Sequence, residues 1–491
     1  MSTHTHTDVV VVGAGPTGLT LACELHAAGV RPTVIERLPA PTGLSKALSL
    51  VGRSVDSLDY RGMLEGFGAH APTGNPGFAH FGLIPMNLAA VPDLGLRGIL
   101  VQQAAVEQVL GDCVRDGGIE VRRGCELTAL RQDDHAATVD YTGPDGPVTL
   151  EAQFVVGCDG GASRVRKLAG IEFAGTDPTL VIRFGDVSLD PDFLARERGQ
   201  IRSPLIPLGG DFHRAVVIEP YPPGLDRDAA MTLDELQAAV RRVNGRELPV
   251  RQVRWLSRFT DASRQATRYR SGRVLLAGDA AHIHLPAGGP GMNTGLQDAF
   301  NLGWKLAAEV AGWAPPSLLD TYHTERFPEG EQVLLHTRAQ SALLGPDTGG
   351  RLTALREVVG RMLTHEQTLR DLAGRMYGLD TRYDMRVPQP HALSGRWMPN
   401  LTLTTPTGEN TIAELMRPAR GLLLDLTATG QLAETVAGPR DRLTTVLARC
   451  SQPPAPAVLV RPDGYVAWAG APDSDARSLR TALAAWFGVA A

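Results

Sequence analysis

Between residues 8 and 36 the chain runs through a short β-branched stretch, a glycine-rich turn, a helical stretch and a second strand that ends in an acid. Asp8 to Val12 has the continuous apolar character of a buried parallel strand. It leads directly into Gly13-Ala14-Gly15-Pro16-Thr17-Gly18, a GxGxxG. A helix is predicted from Pro16 to Ala28 with Gly29 as its cap, and Pro32 to Ile35 reads as the next strand, closed by Glu36. Each residue type has a physical task in such a unit. Gly13 permits the tight turn, Gly15 lets the backbone approach a pyrophosphate, and Gly18 lets helix and strand pack closely. The helix start at Pro16 and Thr17 offers unpaired N–H groups and the positive end of the helix dipole. Glu36 can accept hydrogen bonds from a ribose. GxGxxG alone is a weak signal, but strand, helix and acid together point to dinucleotide binding.

Two later segments repeat the pattern of a strand that ends in a carboxylate beside glycine. Val155 to Gly157 runs into Cys158-Asp159-Gly160, and Arg273 to Ala277 runs into Gly278-Asp279. A carboxylate so placed accepts hydrogen bonds from a polyhydroxylated chain such as ribityl. For Asp159 the alternative is a helix cap, because Ser163 and Arg164 follow it. After Asp279 comes His282-Ile283-His284-Leu285-Pro286-Ala287-Gly288-Gly289-Pro290-Gly291-Met292-Asn293. A helix is predicted from Asn293 or Thr294 to Ala311, with Thr294 and Gln297 at capping-box spacing. The glycines clear side chains from in front of this helix, so a flat ring can approach its N-terminus. There an anion would gain up to ~2 kcal/mol.

In order and spacing, the three motifs resemble those of the group A flavoprotein monooxygenases, which share the para-hydroxybenzoate hydroxylase fold. The resemblance runs from residue 1 to about 395. It implies FAD as cofactor, NADPH or NADH as reductant and O2 as cosubstrate. It places Asp279 on the ribityl chain, and links Asp159 to FAD and the nicotinamide cofactor. The Met292 and Asn293 backbones fall at the flavin's pyrimidine edge, with Gly289 and Gly291 beside them and Pro286 next to the ring. Gln103 contacts the ribityl-phosphate region, with Gln102 as the neighbour that could take its place. Lys46 stands where relatives carry Arg, Arg37 covers the adenosine side, and Leu127 offers its backbone to adenine. Many relatives have Gln or Phe where this chain has Pro290. No side chain is required as a nucleophile. His284 and Pro286 are the candidates closest to the chemistry, and His282 reads as a structural histidine.

The fold class expected is α/β, a Rossmann-like FAD-binding domain with an inserted sheet-rich substrate domain and a C-terminal thioredoxin-like domain. The expected division is 1–175 and 269–395 for FAD, 176–268 for substrate, and 396–491 for the extension, which lacks CxxC. Strands are predicted at Leu180 to Val187, Pro204 to Leu208, Arg214 to Glu219 and Val253 to Phe259, with a helix at Thr232 to Val243. Phe81, Arg183, Arg214 and Trp255 are candidate pocket residues. In the extension, strands are predicted at Gly421 to Leu424, Leu443 to Leu447, Ala457 to Val460 and Tyr465 to Trp468, and a helix from Asp475 to Phe487. Such an extension resembles that of hydroxylases acting on polycyclic polyketides, angucycline-type among them.

The implied function is hydroxylation of a polycyclic phenolic, polyketide-type substrate through a flavin C4a-hydroperoxide. Baeyer–Villiger oxygenation of a polyketide ketone on the same fold is the alternative. A non-catalytic flavoprotein that binds a polyketide or drug is the alternative of another class.

Bulk properties exclude other classes. A net charge of -5 without a basic stripe argues against nucleic acid. No run approaches the ~18 apolar residues of a membrane span. The five cysteines have no CxxC spacing, which argues against a metal site and suits the cytoplasm. His4 and His6 read as a polar lead-in. The extension is structural or an oligomer surface, and a homodimer is one arrangement it would permit.

Overall fold

The computed structural model describes residues 5–70, 74–197, 199, 201–226, 229–347, 349–387, 390–427, 432 and 441–489. Its main sheet is built on the parallel strands Val274–Leu276, Gly146–Gly157, Thr5–Val12, Pro32–Glu36 and Glu120–Arg123, in that spatial order. Val9, Val10 and Val11 are wholly buried at its centre. The parallel strands direct their carboxyl ends to one edge. Gly13, Glu36, Asp159 and Asp279, far apart in sequence, therefore line one rim, where open α/β sheets bind ligands. The first strand starts at Thr5, so His6 pairs with Glu151 rather than lying in a lead-in. His4 lies outside the described residues.

Two helices pack across each other behind this rim, Pro16–Ala27 and Pro290–Val310. Their contact depends on missing side chains. A Cβ on Gly295 would stand 2.4 Å from Thr17 Oγ1, and one on Gly303 would stand 2.5 Å from Glu24 Cβ. A Cβ on Gly18 would meet the Gly13 carbonyl oxygen at 2.0 Å. Close packing here is therefore specified residue by residue.

The second helix begins at Pro290, a turn earlier than its sequence pattern suggests. Proline at the first helical position gives up an N–H that would be unpaired anyway. The capping box expected from Thr294 and Gln297 does not form. Thr294 Oγ1 instead donates to the Pro290 carbonyl, and Gln297 Nε2 to Ser57 Oγ.

A four-stranded antiparallel sheet, in the order Leu205–Gly209, Phe212–Pro220, Leu180–Leu189 and Val250–Thr260, covers the rim. All four predicted strands are present. One face packs on the helix Leu233–Asn244, capped by the Thr232 hydroxyl. The other packs against Leu285 and Ala287 of the glycine loop.

The last hundred residues form a second four-stranded sheet, in the order Leu443–Leu447, Gly421–Asp425, Ala457–Val460 and Val466–Gly470. Its first pair is parallel and the others antiparallel, and the helix Pro472–Phe487 closes it. Its core is continuous with Tyr60, Trp304, Ala308 and Leu318 of the preceding chain. No described helix is long and apolar enough to cross a membrane.

Candidate cofactor and substrate site

At the first glycine turn, Gly13 has φ +107°, and a Cβ there would meet the Cys158 carbonyl oxygen at 2.4 Å. Gly15 caps the helix that starts at Pro16, and a Cβ on it would have nothing within 4 Å. Gly13 is therefore required by packing, while Gly15 borders open space in front of unpaired helix N–H groups. That is the arrangement a pyrophosphate needs. Glu36 accepts from Ala14 N at 2.8 Å and Leu38 N at 2.9 Å. Each oxygen keeps a further lone pair for a ribose hydroxyl.

At the other end of the rim, Asp279 is exposed and accepts no hydrogen bond among the described residues. Its Oδ1 lies 4.0 Å from where a Cβ on Gly291 would stand, and the His284 ring lies 3.5 Å from the same point. Gly288 and Gly289 both adopt left-handed backbone, with φ +78° and +68°, and deliver the chain to Pro290. By helix geometry, the N–H groups of Gly291 and Met292 have no partner within the helix. Asn293 is held by its side chain, which accepts from Val51 N at 2.9 Å and donates to the Gly289 carbonyl at 3.0 Å. The residues thus fit a dinucleotide with a flat ring: open backbone at both helix starts, and an acid beside each.

Asp159 does something else. Its Oδ2 accepts from Arg164 N at 2.6 Å and Val165 N at 3.0 Å, so its carboxylate caps the helix Arg164–Leu168. Arg166 is buried, and its guanidinium lies 3.7 Å from the centre of the Phe173 ring. Gln103 anchors the loop before it, accepting from Ala47 N at 3.2 Å, whereas Gln102 reaches Leu208 on the covering sheet. Lys46 and Arg37 are exposed. Leu127 is buried in a strand paired with Tyr141. Pro286 sits in the loop that Leu285 anchors to the covering sheet, and its carbonyl accepts from Gly289 N.

The covering sheet sorts the pocket candidates by strand alternation. Leu180, Ile182 and Phe184 face the glycine loop with Trp255 and Phe259. Arg214 lies on this face, 5.2 Å from the Trp255 ring. It pairs with Asp186 at 2.7 Å and donates to the Ser45 and Lys46 carbonyls, which ties the sheet to the loop before Gln103. Arg183 belongs to the opposite face, where it binds Glu235 at 2.8 Å and Glu219 at 2.7 Å. It is not a pocket residue. Phe81 is set apart from this sheet and meets the His336 ring edge-on.

Several residues had no role from sequence. Asp298 is wholly buried and accepts from His282 Nε2 at 2.7 Å, Arg326 Nε at 2.8 Å and Gly278 N at 3.0 Å. Burial would push its carboxyl up, but the His282 and Arg326 charges and hydrogen bonds hold it below the usual range. This cluster props the Gly278-Asp279 turn from beneath and accounts for His282 as a structural histidine. His284 donates to or accepts at the Leu285 carbonyl, 2.9 Å away, and burial pushes its pKa down. The helix Thr321–Leu344 adds a cavity of about 280 Å3 beside the glycine loop, with Gly288, Pro290, Val333, His336, Gln340 and Met376 in its walls. Among the described residues, no group of three or more His, Cys, Asp or Glu side chains could hold a metal ion.

The chain belongs to the FAD-binding domain family, whose model matches residues 6–337, and residues 391–490 match the aromatic-ring hydroxylase C-terminal domain. It is a flavoprotein of the monooxygenase kind. It is 45% identical to the 12-dehydrotetracycline 5-monooxygenase/anhydrotetracycline 6-monooxygenase of Streptomyces rimosus, over 98% of this chain and 99% of that protein. The solved OxyS anhydrotetracycline hydroxylase from Streptomyces rimosus superposes with a TM-score of 0.91 at 43% identity, over 99% of this chain and 100% of that one. A dialkyldecalin synthase of Streptomyces rugosporus is 39% identical over 98% of this chain and 99% of its own length.

Proposed function

We propose that the protein uses NAD(P)H and O2 to hydroxylate a polycyclic phenolic substrate of the polyketide type, with FAD as its bound cofactor. The observation that carries this reading is the meeting of Asp279, Gly291 and the Pro290 helix start beneath the aromatic wall of Phe184, Trp255 and Phe259. FAD supplies the redox and oxygen chemistry there. Gly13, Gly15, Pro16, Thr17 and Gly18 would hold its pyrophosphate, Glu36 a ribose and Gln103 the adjoining phosphate region. Asp279 would hold the ribityl chain, and the backbones of Gly291, Met292 and Asn293 the pyrimidine edge. Asp159 acts mainly through the turn it caps.

The chain's own work is to position the aromatic ring, favour negative charge at the helix start and exclude water. Residues 1–175 and 269–395 act as the flavin unit, 176–268 as the substrate unit, and 396–491 as a thioredoxin-like extension. The parallel pair, antiparallel hairpin and closing helix support that last assignment. The free cysteines suit the cytoplasm.

NADPH oxidation by the yellow protein with anhydrotetracycline and other polycyclic phenols, followed by mass spectrometry, tests the reading. Gain of one oxygen on a ring coupled to NADPH use supports it, and insertion beside a ketone replaces it with Baeyer–Villiger chemistry. The dialkyldecalin synthase relative favours a second reading, a flavoprotein that acts on a polyketide without oxygen transfer. Flavin that no substrate and nicotinamide can turn over would select it.

A further inference from the structure

His336 and Gln340 stand four residues apart on the helix Thr321–Leu344, so both point to the same side of it. That side is the cavity beside Gly288 and Pro290. The two side chains differ in what they offer. Gln340 Oε1 accepts from Gly82 N at 3.0 Å. A backbone N–H only donates, so the oxygen of the amide is fixed at that contact and its NH2 group is free for another acceptor. Nε2 lies 3.8 Å from where a Cβ on Gly288 would stand, and Gly288 carries none.

His336 is half-buried, and neither ring nitrogen has a hydrogen-bond partner among the described residues. Its ring is held edge-on by Phe81, centroids 6.3 Å apart. Burial pushes its pKa down, the Arg375 cation adds to this and Asp380 opposes it. The imidazole is therefore neutral near pH 7 and has a lone pair to offer. An acceptor and a donor thus meet in a cavity whose other walls, Val333, Pro290 and Met376, are apolar. A hydroxyl on a flat ring satisfies both, since it donates one hydrogen and accepts another.

We propose that His336 and Gln340 form the recognition pair for the ring hydroxyl of the substrate, His336 taking its proton and Gln340 donating to its oxygen. The inference rests on the hydroxylase reading above. In the step, the O–H bond breaks and an N–H bond forms on the imidazole. The electron pair stays on the ring oxygen, and no electrons leave the substrate. The ring becomes more electron-rich and so more open to an electrophilic oxygen. Gln340 stabilises the oxyanion through a charge-assisted hydrogen bond.

The test uses the oxidised holoenzyme and 1-hydroxyanthraquinone, a polycyclic phenol whose absorption moves to the red on ionisation. With the wild type, the red band is expected at a pH about one unit lower than in free solution, a tenfold gain in ionisation. His336→Asn keeps the flavin spectrum but returns the band to its free midpoint, and ring hydroxylation falls about 100-fold. Gln340→Glu preserves an acceptor for Gly82 N but opposes the phenolate, and raises the midpoint above that of the wild type. A wild type that leaves the midpoint unmoved, or a His336→Asn protein that keeps the wild-type midpoint, overturns the proposal. Should wild type lower the midpoint yet yield no oxygenated product from any phenol by mass spectrometry, the hydroxylase reading fails while the recognition pair stands.

Discussion

Arg461 grips Glu325 through two parallel hydrogen bonds, Nη1 to Oε1 at 2.6 Å and Nη2 to Oε2 at 2.8 Å. The arginine comes from the C-terminal sheet and the glutamate from the helix that lines the cavity, and both are buried. Lys305 Nζ also donates to Glu325 Oε2, at 2.7 Å, and Asp463 takes the remaining guanidinium edge. Removing one partner from such a cluster strands a buried charge. Arg461→Ala should therefore lower stability by about 3–5 kcal/mol. A denaturant midpoint unchanged from wild type would contradict it.

The same cluster sets an acid limit. Burial alone would push Glu325 up, but Arg461 and Lys305 overcome it and hold the carboxyl down at about 2. A carboxyl depressed in the folded state stabilises fully above its ordinary value of 4.5, and that contribution drains as pH falls from there towards 2. Lys305→Met withdraws one of the two cations. Its acid-unfolding midpoint, followed by tryptophan fluorescence, should move to higher pH than the wild type's.

Gly295 and Thr17 allow a sharper test of the helix crossing. Gly295→Ala places a methyl 2.4 Å from Thr17 Oγ1 and 3.2 Å from the Gly278 Cα. Overpacking of this kind costs about 1–3 kcal/mol. Because the displaced groups belong to the two flavin-facing turns, flavin content after purification should fall with it. Adding Thr17→Ala removes the hydroxyl in the way and should recover part of both losses. Absence of any recovery in the double variant would show that the backbone contact with Gly278, rather than Thr17, sets the penalty.

Asp159 and Asp279 are similar motifs in the sequence with opposite expected behaviour. Asp159→Ala uncaps the Arg164–Leu168 helix and should cost about 1 kcal/mol of stability. Asp279→Ala, whose carboxylate engages no protein donor, should leave thermal stability of the apoprotein unchanged. It should weaken FAD binding by about 10–100-fold, the worth of a hydrogen bond to a charged group. Fluorescence titration of the apoproteins with FAD, beside their melting curves, separates the two.

What could be read in advance follows from what leaves a one-dimensional trace. Glycines forced by backbone contact, β-branched buried strands and acids at strand ends are local signals. They located the rim, the covering sheet and the C-terminal strands to within a few residues. The Thr321–Leu344 helix left no such trace. Its buried positions include Glu325, Arg326, Thr337, Gln340 and Ser341, and Pro328 sits inside it, so no apolar stripe marks it. His336 and Gln340 went unremarked for that reason. Arg183 was placed on the wrong face because alternation says only that neighbours oppose one another, and which face looks to the flavin is a long-range fact. The roles of Asp159 and Pro290 turned on where a helix begins, the least local feature of all.

The helix Pro290–Val310 has its first residues at the proposed flavin and Trp304, Lys305 and Ala308 inside the core of the C-terminal unit. One rigid rod is thus footed in the region that closes the chain. A polypeptide ending near residue 395 would leave Trp304 and Lys305 bare at the base of that rod. The tail is for this reason no cassette to be trimmed or traded among relatives. It must be inherited together with the helix it seats, and engineering of the substrate pocket has freedom in the covering sheet that it lacks here.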